Sequence, residues 1–161
     1  LGIDARSVHA HIIGEHGDSE VPVWSMANVT GIGLESYCRN HGCDLGPEVR
    51  EEIFSRTRDA AYEIIERKGA TYYAVAMGLL RIVESILRNQ HTVLSVSNLV
   101  PDYYEVEEVY LSLPAVIGRE GVERTLHLPL DNTEVAALRR SAAVLREALN
   151  QIEDKERGDQ N

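Results

Sequence analysis

Gly69 separates two long stretches of helical periodicity, and no other feature of the chain limits its fold so strongly. From Glu48 to Lys68 the apolar residues Val49, Ile53, Phe54, Ala60, Ala61, Ile64 and Ile65 recur at three- and four-residue steps, with charges on the opposite face. Pro47 suits the first turn of this helix, and Gly69 suits its end, where a left-handed residue is needed. Thr71 reads as the N-cap of a second helix running to about Leu87. The start of that helix, Ala74-Val75-Ala76-Met77-Gly78-Leu79-Leu80, has almost no polar face and predicts burial on several sides.

Strand patterns flank this helical pair. Ser7 to Ile13 alternates, placing His9 and His11 on one face and Val8, Ala10 and Ile12 on the other. Val21 to Trp24 is a second short apolar run, with Trp24 expected in the core. Asn28 to Gly33, punctuated by Gly31 and Gly33, reads as a loop, and Leu34 to His41 as a short helix closed by Gly42. Beyond the long helices, His91 to Ser97, Val109 to Ile117 and Val122 to Leu128 read as strands. Pro101-Asp102 opens the loop before the second of these, and Gly118-Arg119-Glu120-Gly121 joins the last two as a hairpin. A final helix runs from Asp131 to about Ile152. It has capping-box spacing between Asp131 and Glu134 and a stripe of Leu138, Ala142, Leu145, Leu149 and Ile152. Glu153 to Asn161 is polar and expected to fray. The order of strand pair, helices, strands and helix predicts one α+β domain over residues 1–161, with antiparallel sheet packed against long helices.

A chain of 161 residues with 43% hydrophobic and 26% charged residues can bury a real core. Its net charge of −10 excludes non-specific binding to nucleic acid or to an anionic membrane surface. No apolar run approaches the roughly 20 residues of a membrane span, and Leu1 to Arg6 lacks the features of a signal peptide. The chain opens on Leu rather than Met, as a fragment would, and a cytoplasmic location is expected. Cys38 and Cys43 bracket Arg-Asn-His-Gly, which is no zinc spacing, so two free thiols are expected.

Chemistry concentrates between His9 and Trp24. The strand pattern breaks at Gly14 and presents a charged turn, Glu15-His16-Gly17-Asp18. An imidazole between two carboxylates at the rim of a sheet can give or take a proton near neutral pH. An isolated His in this setting is more often a polar turn residue facing water.

The longer string Ile12-Ile13-Gly14-Glu15-His16-Gly17-Asp18-Ser19-Glu20-Val21-Pro22-Val23-Trp24-Ser25 closely resembles the active-site signature of bacterial L-lactate dehydrogenases. That family shares a superfamily with the malate dehydrogenases. Lys68-Gly69-Ala70-Thr71-Tyr72-Tyr73-Ala74 resembles the family's helix junction, and Val109 to Gly118 is similar to its diagnostic strand. The resemblance runs from about Val8 to about Leu149 and identifies the C-terminal, substrate-binding domain. Glu15 before His16 favours the lactate branch over the malate branch.

The resemblance implies a set of roles. His16 is the acid/base of hydride transfer between NADH and pyruvate, Thr71 contacts substrate, and Val75 lies against the nicotinamide ring. His9 binds the activator fructose 1,6-bisphosphate at a subunit interface of a homotetramer, and Asp18 serves the turn. The sequence has no Gly-rich dinucleotide fingerprint; Gly31-x-Gly33 lacks a third Gly and a following helix. By the same resemblance, the Rossmann half that binds NAD lies upstream. So do the Asp that orients the catalytic His and the Arg that clamps the substrate carboxylate, and these 161 residues alone are expected to be inactive. Three other readings compete: a lactate-like malate dehydrogenase, a metal-dependent hydrolase using His9, His11, His16, Glu15 and Asp18, and an inactive oligomerisation module. No standard zinc signature fits the second.

Overall fold

The segment after Ser7 divides into two short strands that join different sheets. A computed structural model describes residues 1–100 and 102–158. In chain order the elements are β1 (Val8–His9), β2 (Ile12–Ile13), β3 (Val21–Pro22), β4 (Asn28–Val29), β5 (Ile32–Gly33), α1 (Leu34–His41), α2 (Pro47–Lys68) and α3 (Tyr73–Leu87). They continue as β6 (Thr92–Val100), β7 (Val109–Gly118), β8 (Gly121–Thr125) and α4 (Asn132–Gly158). All strand pairs are antiparallel: β1-β4-β5, β2-β3 and β6-β7-β8. The α+β architecture expected from element order is the one formed.

β7 is the centre of the molecule. It lies between β6 and β8 while β2, α3 and α4 pack on it. Covered in this way, Val109, Leu111, Leu113 and Ala115 are fully buried, and they join Ile13, Val21, Val23 and Leu138 in the main core. A smaller cluster of Ala27, Val29 and Leu34 carries Val8, Trp24, Tyr37 and Leu45 at its edge. Trp24 is thus half-buried, with the Arg50 guanidinium 5.9 Å from its ring centre. The expected hairpin forms at Gly118↔Gly121, and α4 begins with the expected capping box. Asp131 Oδ1 accepts from the N–H of Glu134 (2.8 Å), and Glu134 accepts from the N–H of Asp131 (3.0 Å).

Several local expectations are corrected. Asn28 to Gly33 is a hairpin rather than a loop. Thr30 (φ 51°) and Gly31 (φ 90°) are the left-handed pair that a two-residue turn requires, so Gly31 marks a turn between strands. Cys38 and Cys43 are joined in a disulfide. Left-handed Gly42 ends α1 and folds the chain back, bringing the two Cα atoms to 4.6 Å. α4 stays helical to Gly158, so Glu153 onward does not begin a frayed tail; residues 159–161 lie outside the described residues. Pro101, expected to open a loop, also lies outside them.

The long helices are less covered than their composition suggested. α3 buries only Ser85, and Tyr73 (69%), Met77 (64%) and Leu87 (73%) stand exposed, against the expected burial on several sides. The covered side of α3 is the one against β7, where the Ser85 hydroxyl donates to the Ile117 carbonyl at 3.0 Å. α2 buries no residue at all. The apolar stripe of α4 is buried at Leu138 and Ala142, while Leu149 and Ile152 pass beyond the core and are exposed. Among the described residues no helix is long and apolar enough to cross a membrane.

Candidate active site

The signature segment is held at both ends by elements far away in sequence. β2 ends at buried Ile13, and Gly14 turns the chain at φ +98°. Gly14 exchanges two backbone hydrogen bonds with Ser112 of β7: its N–H donates to the Ser112 carbonyl (2.9 Å) and its carbonyl accepts from the Ser112 N–H (2.8 Å). The Glu15 N–H donates to Ser141 Oγ of α4 at 2.8 Å. Across the turn, Ser19 Oγ and the Ser19 N–H donate to the Glu15 carboxylate at 2.6 and 3.2 Å. At the far end, the Ser25 N–H and hydroxyl donate to the Glu134 carboxylate at 2.9 and 2.6 Å.

This anchored turn presents His16 to solvent. Its side chain is 93% exposed, and Nδ1 lies 3.1 Å from Glu20 Oε1, a carboxylate that is itself largely buried. With Nδ1 occupied, Nε2 is the nitrogen left for a reacting group. A cavity of about 220 Å³ opens beside the ring, lined by Ile12, Ile13, Glu15, Glu20, Thr57 and Ser112. Asp18 accepts a hydrogen bond from the Tyr62 hydroxyl (2.9 Å), which ties the turn to α2 and raises the tyrosine pKa. Asp18 therefore does more than shape the turn.

Thr71 and Val75 do not line the His16 cavity. Thr71 is half-buried in the α2–α3 junction and is not the N-cap. Tyr72 holds that position, with no side-chain cap, and its carbonyl accepts from the N–H of Ala76. Lys68 lies against both Tyr72 and Tyr73, its Nζ 5.2 and 4.5 Å from the ring centres. Val75 is 54% exposed in the opening turns of α3. Ala60 is half-buried on α2.

His9 is exposed on β1, an edge strand, and His11 is half-buried between β1 and β2. Burial, with a smaller contribution from His9, lowers the His11 pKa below the usual imidazole value. The unfolded chain then binds a proton that the folded chain refuses. The associated stability is full above about pH 6.5 and is lost as pH falls toward the folded pKa. His11→Asn is expected to flatten that acid-side loss, measured by urea unfolding at about pH 5 and about pH 7. An unchanged pH dependence in the variant would assign the effect to other groups.

Among the described residues no group of three or more His, Cys, Asp or Glu is placed to hold a metal ion. The hydrolase reading of His9, His11, His16, Glu15 and Asp18 therefore loses its geometric basis. The sequence reading also missed Glu20, Ser112, Ser141 and Glu134 as parts of the site. Glu20 was visible as a carboxylate four residues after His16. Ser141 was visible as a polar residue beside Ala142 on the buried face of α4.

Residues 1–156 match the family model described as lactate/malate dehydrogenase, alpha/beta C-terminal domain. The chain is 48% identical over 151 residues to an L-lactate dehydrogenase of Thermoanaerobacter sp. (strain X514), covering 94% of this chain and 49% of that protein. It is 50% identical over 151 residues to the L-lactate dehydrogenase of Moorella thermoacetica, covering 93% and 48%. The crystal structure of a lactate dehydrogenase from a Medee basin deep-sea metagenome library superposes with a TM-score of 0.88. It is 42% identical to this chain and covers 94% of it and 48% of the other. The chain thus spans about half the length of the curated relatives it matches. With an α+β fold, a His presented on a turn pinned to the central strand, and a match across nearly its whole length, this chain belongs to the lactate/malate dehydrogenase family, as its alpha/beta C-terminal domain.

Proposed function

We propose that this domain is the substrate-binding half of an NAD-dependent L-lactate dehydrogenase that interconverts pyruvate and L-lactate, with His16 as acid/base. The observation that carries this reading is the exposed His16 ring. Its turn is held by β7 and α4, and Nδ1 is taken by Glu20, which leaves Nε2 free beside a cavity. In reduction, Nε2–H donates its proton to the carbonyl oxygen of pyruvate; in oxidation, Nε2 takes the hydroxyl proton of lactate. Bound NADH supplies the hydride.

Val75 offers an exposed apolar side chain on which a flat ring can pack, and water is kept from that side of the ring. The residues here thus fit the nicotinamide end of NAD, and no Gly-rich loop among them fits its phosphates. Thr71 brings a hydroxyl to the N-terminal end of α3, where a helix favours a carboxylate. Glu15 before His16 supports the lactate branch. The assay is NADH oxidation by the full-length protein with pyruvate or oxaloacetate. Pyruvate is expected to be the better substrate. A preference for oxaloacetate would make the protein a malate dehydrogenase, and turnover of neither would reject the reading.

A homotetramer and a cytoplasmic location go with this function. The exposed apolar side chains of α2 and α3, among them Ile53, Ile65, Met77 and Leu80, support cover by further protein surface. His9 is our candidate for a fructose 1,6-bisphosphate site, supported by its exposure on an edge strand with His11 near it. Two such histidines brought together across a subunit axis repel one another when protonated, and a bisphosphate relieves that repulsion and favours the assembled state. In the full-length protein, His9→Gln is expected to abolish activation by fructose 1,6-bisphosphate while sparing turnover at saturating pyruvate. Pyruvate saturation curves with and without the effector decide this. A full response in the variant would remove His9 from the site.

A further inference from the structure

We propose that Ser141 of α4 is a positioning residue for the His16 turn, closing a ring of hydrogen bonds with Glu15 and Ser19; this rests on the reading of His16 as acid/base. Ser141 is fully buried on the helix face that also places Leu138 and Ala142 in the core. A hydroxyl in that setting is costly to bury unless it is satisfied. Its partners lie in the signature turn. Ser141 Oγ accepts from the Glu15 N–H at 2.8 Å and lies 3.2 Å from Ser19 Oγ. The Ser19 proton is already directed to the Glu15 carboxylate at 2.6 Å, so the Ser141 proton is the one left for Ser19. Each hydroxyl then donates once and accepts once, and the ring closes through Glu15, the residue before His16.

Two further features fit this role. Gly14 lies directly against the hydroxyl: a Cβ there would stand 2.6 Å from Ser141 Oγ. Two helical turns earlier on the same face of α4, Glu134 holds Ser25 at the other end of the signature segment. α4 therefore brackets the stretch that carries His16, with Ser141 at the chemical end. Losing the Ser141 hydroxyl frees the Glu15 amide and with it the base of the His16 side chain. Misplacing a reacting group by about 1 Å can cost about a hundredfold in rate.

The test uses the full-length protein. Ser141→Ala is expected to lower kcat for pyruvate reduction about ten- to a hundredfold, with NADH affinity unchanged. The primary isotope effect on kcat, measured with cofactor deuterated at the transferred hydrogen, should rise as the chemical step becomes limiting. Amide hydrogen exchange at Glu15 should quicken. Leu145→Ala, a half-buried change on the same helix whose side chain has no hydrogen bond to give the turn, should lower stability and leave kcat and the isotope effect unchanged. Unchanged kcat and isotope effect in Ser141→Ala would overturn the proposal, as would an equal kinetic loss in Leu145→Ala. If Ser141→Ala does not fold, half-buried Ser19→Ala breaks the same ring and decides by the same readouts. If the wild type reduces neither pyruvate nor oxaloacetate, the enzymatic reading fails. Exchange at the Glu15 amide then decides the positioning role by itself, and an unchanged rate in the variant overturns it.

Discussion

His16→Asn in the full-length protein is expected to bind NADH as the wild type does and to lose about a hundred- to ten-thousandfold of its pyruvate turnover. The replacement amide can still meet Glu20, but it carries no proton that titrates near neutral pH. The ring is 93% exposed and takes no part in either core cluster, so the change should move stability by no more than about 0.5 kcal/mol. A loss of rate with an unchanged unfolding midpoint and unchanged cofactor affinity is therefore a loss of chemistry. Stopped-flow reduction of pyruvate, with NADH titration alongside, makes the measurement. A near-normal rate would show that His16 is not the acid/base, and the turn would be a structural one.

Gly14→Ala is expected to be among the most damaging single substitutions for stability in this domain. Two costs coincide there. At φ +98° an L side chain is strained, a cost of about 1–3 kcal/mol. The new methyl would also stand 2.6 Å from Ser141 Oγ, 3.3 Å from Ser141 Cβ and 3.5 Å from Val21 Cγ2. Ser141 and Val21 are both buried, and turning the Ser141 hydroxyl aside would break its bond to the Glu15 N–H, so overpacking adds about 1–3 kcal/mol. A total of about 2–6 kcal/mol is a large share of the roughly 5–15 kcal/mol that holds a domain folded. Gly31→Ala separates the two costs. Gly31 has a similar φ of +90° with nothing within 4 Å of a new Cβ, so only the backbone strain applies. Urea unfolding should place Gly14→Ala well below Gly31→Ala. Equal midpoints would mean that the turn relaxes away from α4 and that the contact with Ser141 does not constrain it.

Most of the element order could be read from the chain because its signals are local. The 3.6-residue period between Glu48 and Lys68, Pro47 and Gly69 at its ends, and the Asp131–Glu134 box each act within a turn or two of the backbone. His16 stood out as the candidate acid/base because the string around it is long. The failures have local causes too. Thr30-Gly31 took the left-handed pair of a hairpin turn where the glycines had suggested a loop. Tyr72 took the cap position of α3 without a side-chain bond, one residue beyond the hydroxyl of Thr71 that had suggested the cap. Cys38 and Cys43 met because Gly42 reverses the chain between them.

By itself, then, the sequence determined the order of most helices and strands and which histidine sits in the candidate signature, since periodicity, caps and motif strings act over short stretches of chain. Only the tertiary structure decided what holds that histidine. Ser112 and Ser141 reach Gly14 and Glu15 from β7 and α4, and Glu134 reaches Ser25, across separations no local pattern records. It also decided which apolar faces are covered. A run such as Ala74 to Leu80 is equally apolar whether or not anything packs on it, and burial depends on which other surfaces arrive.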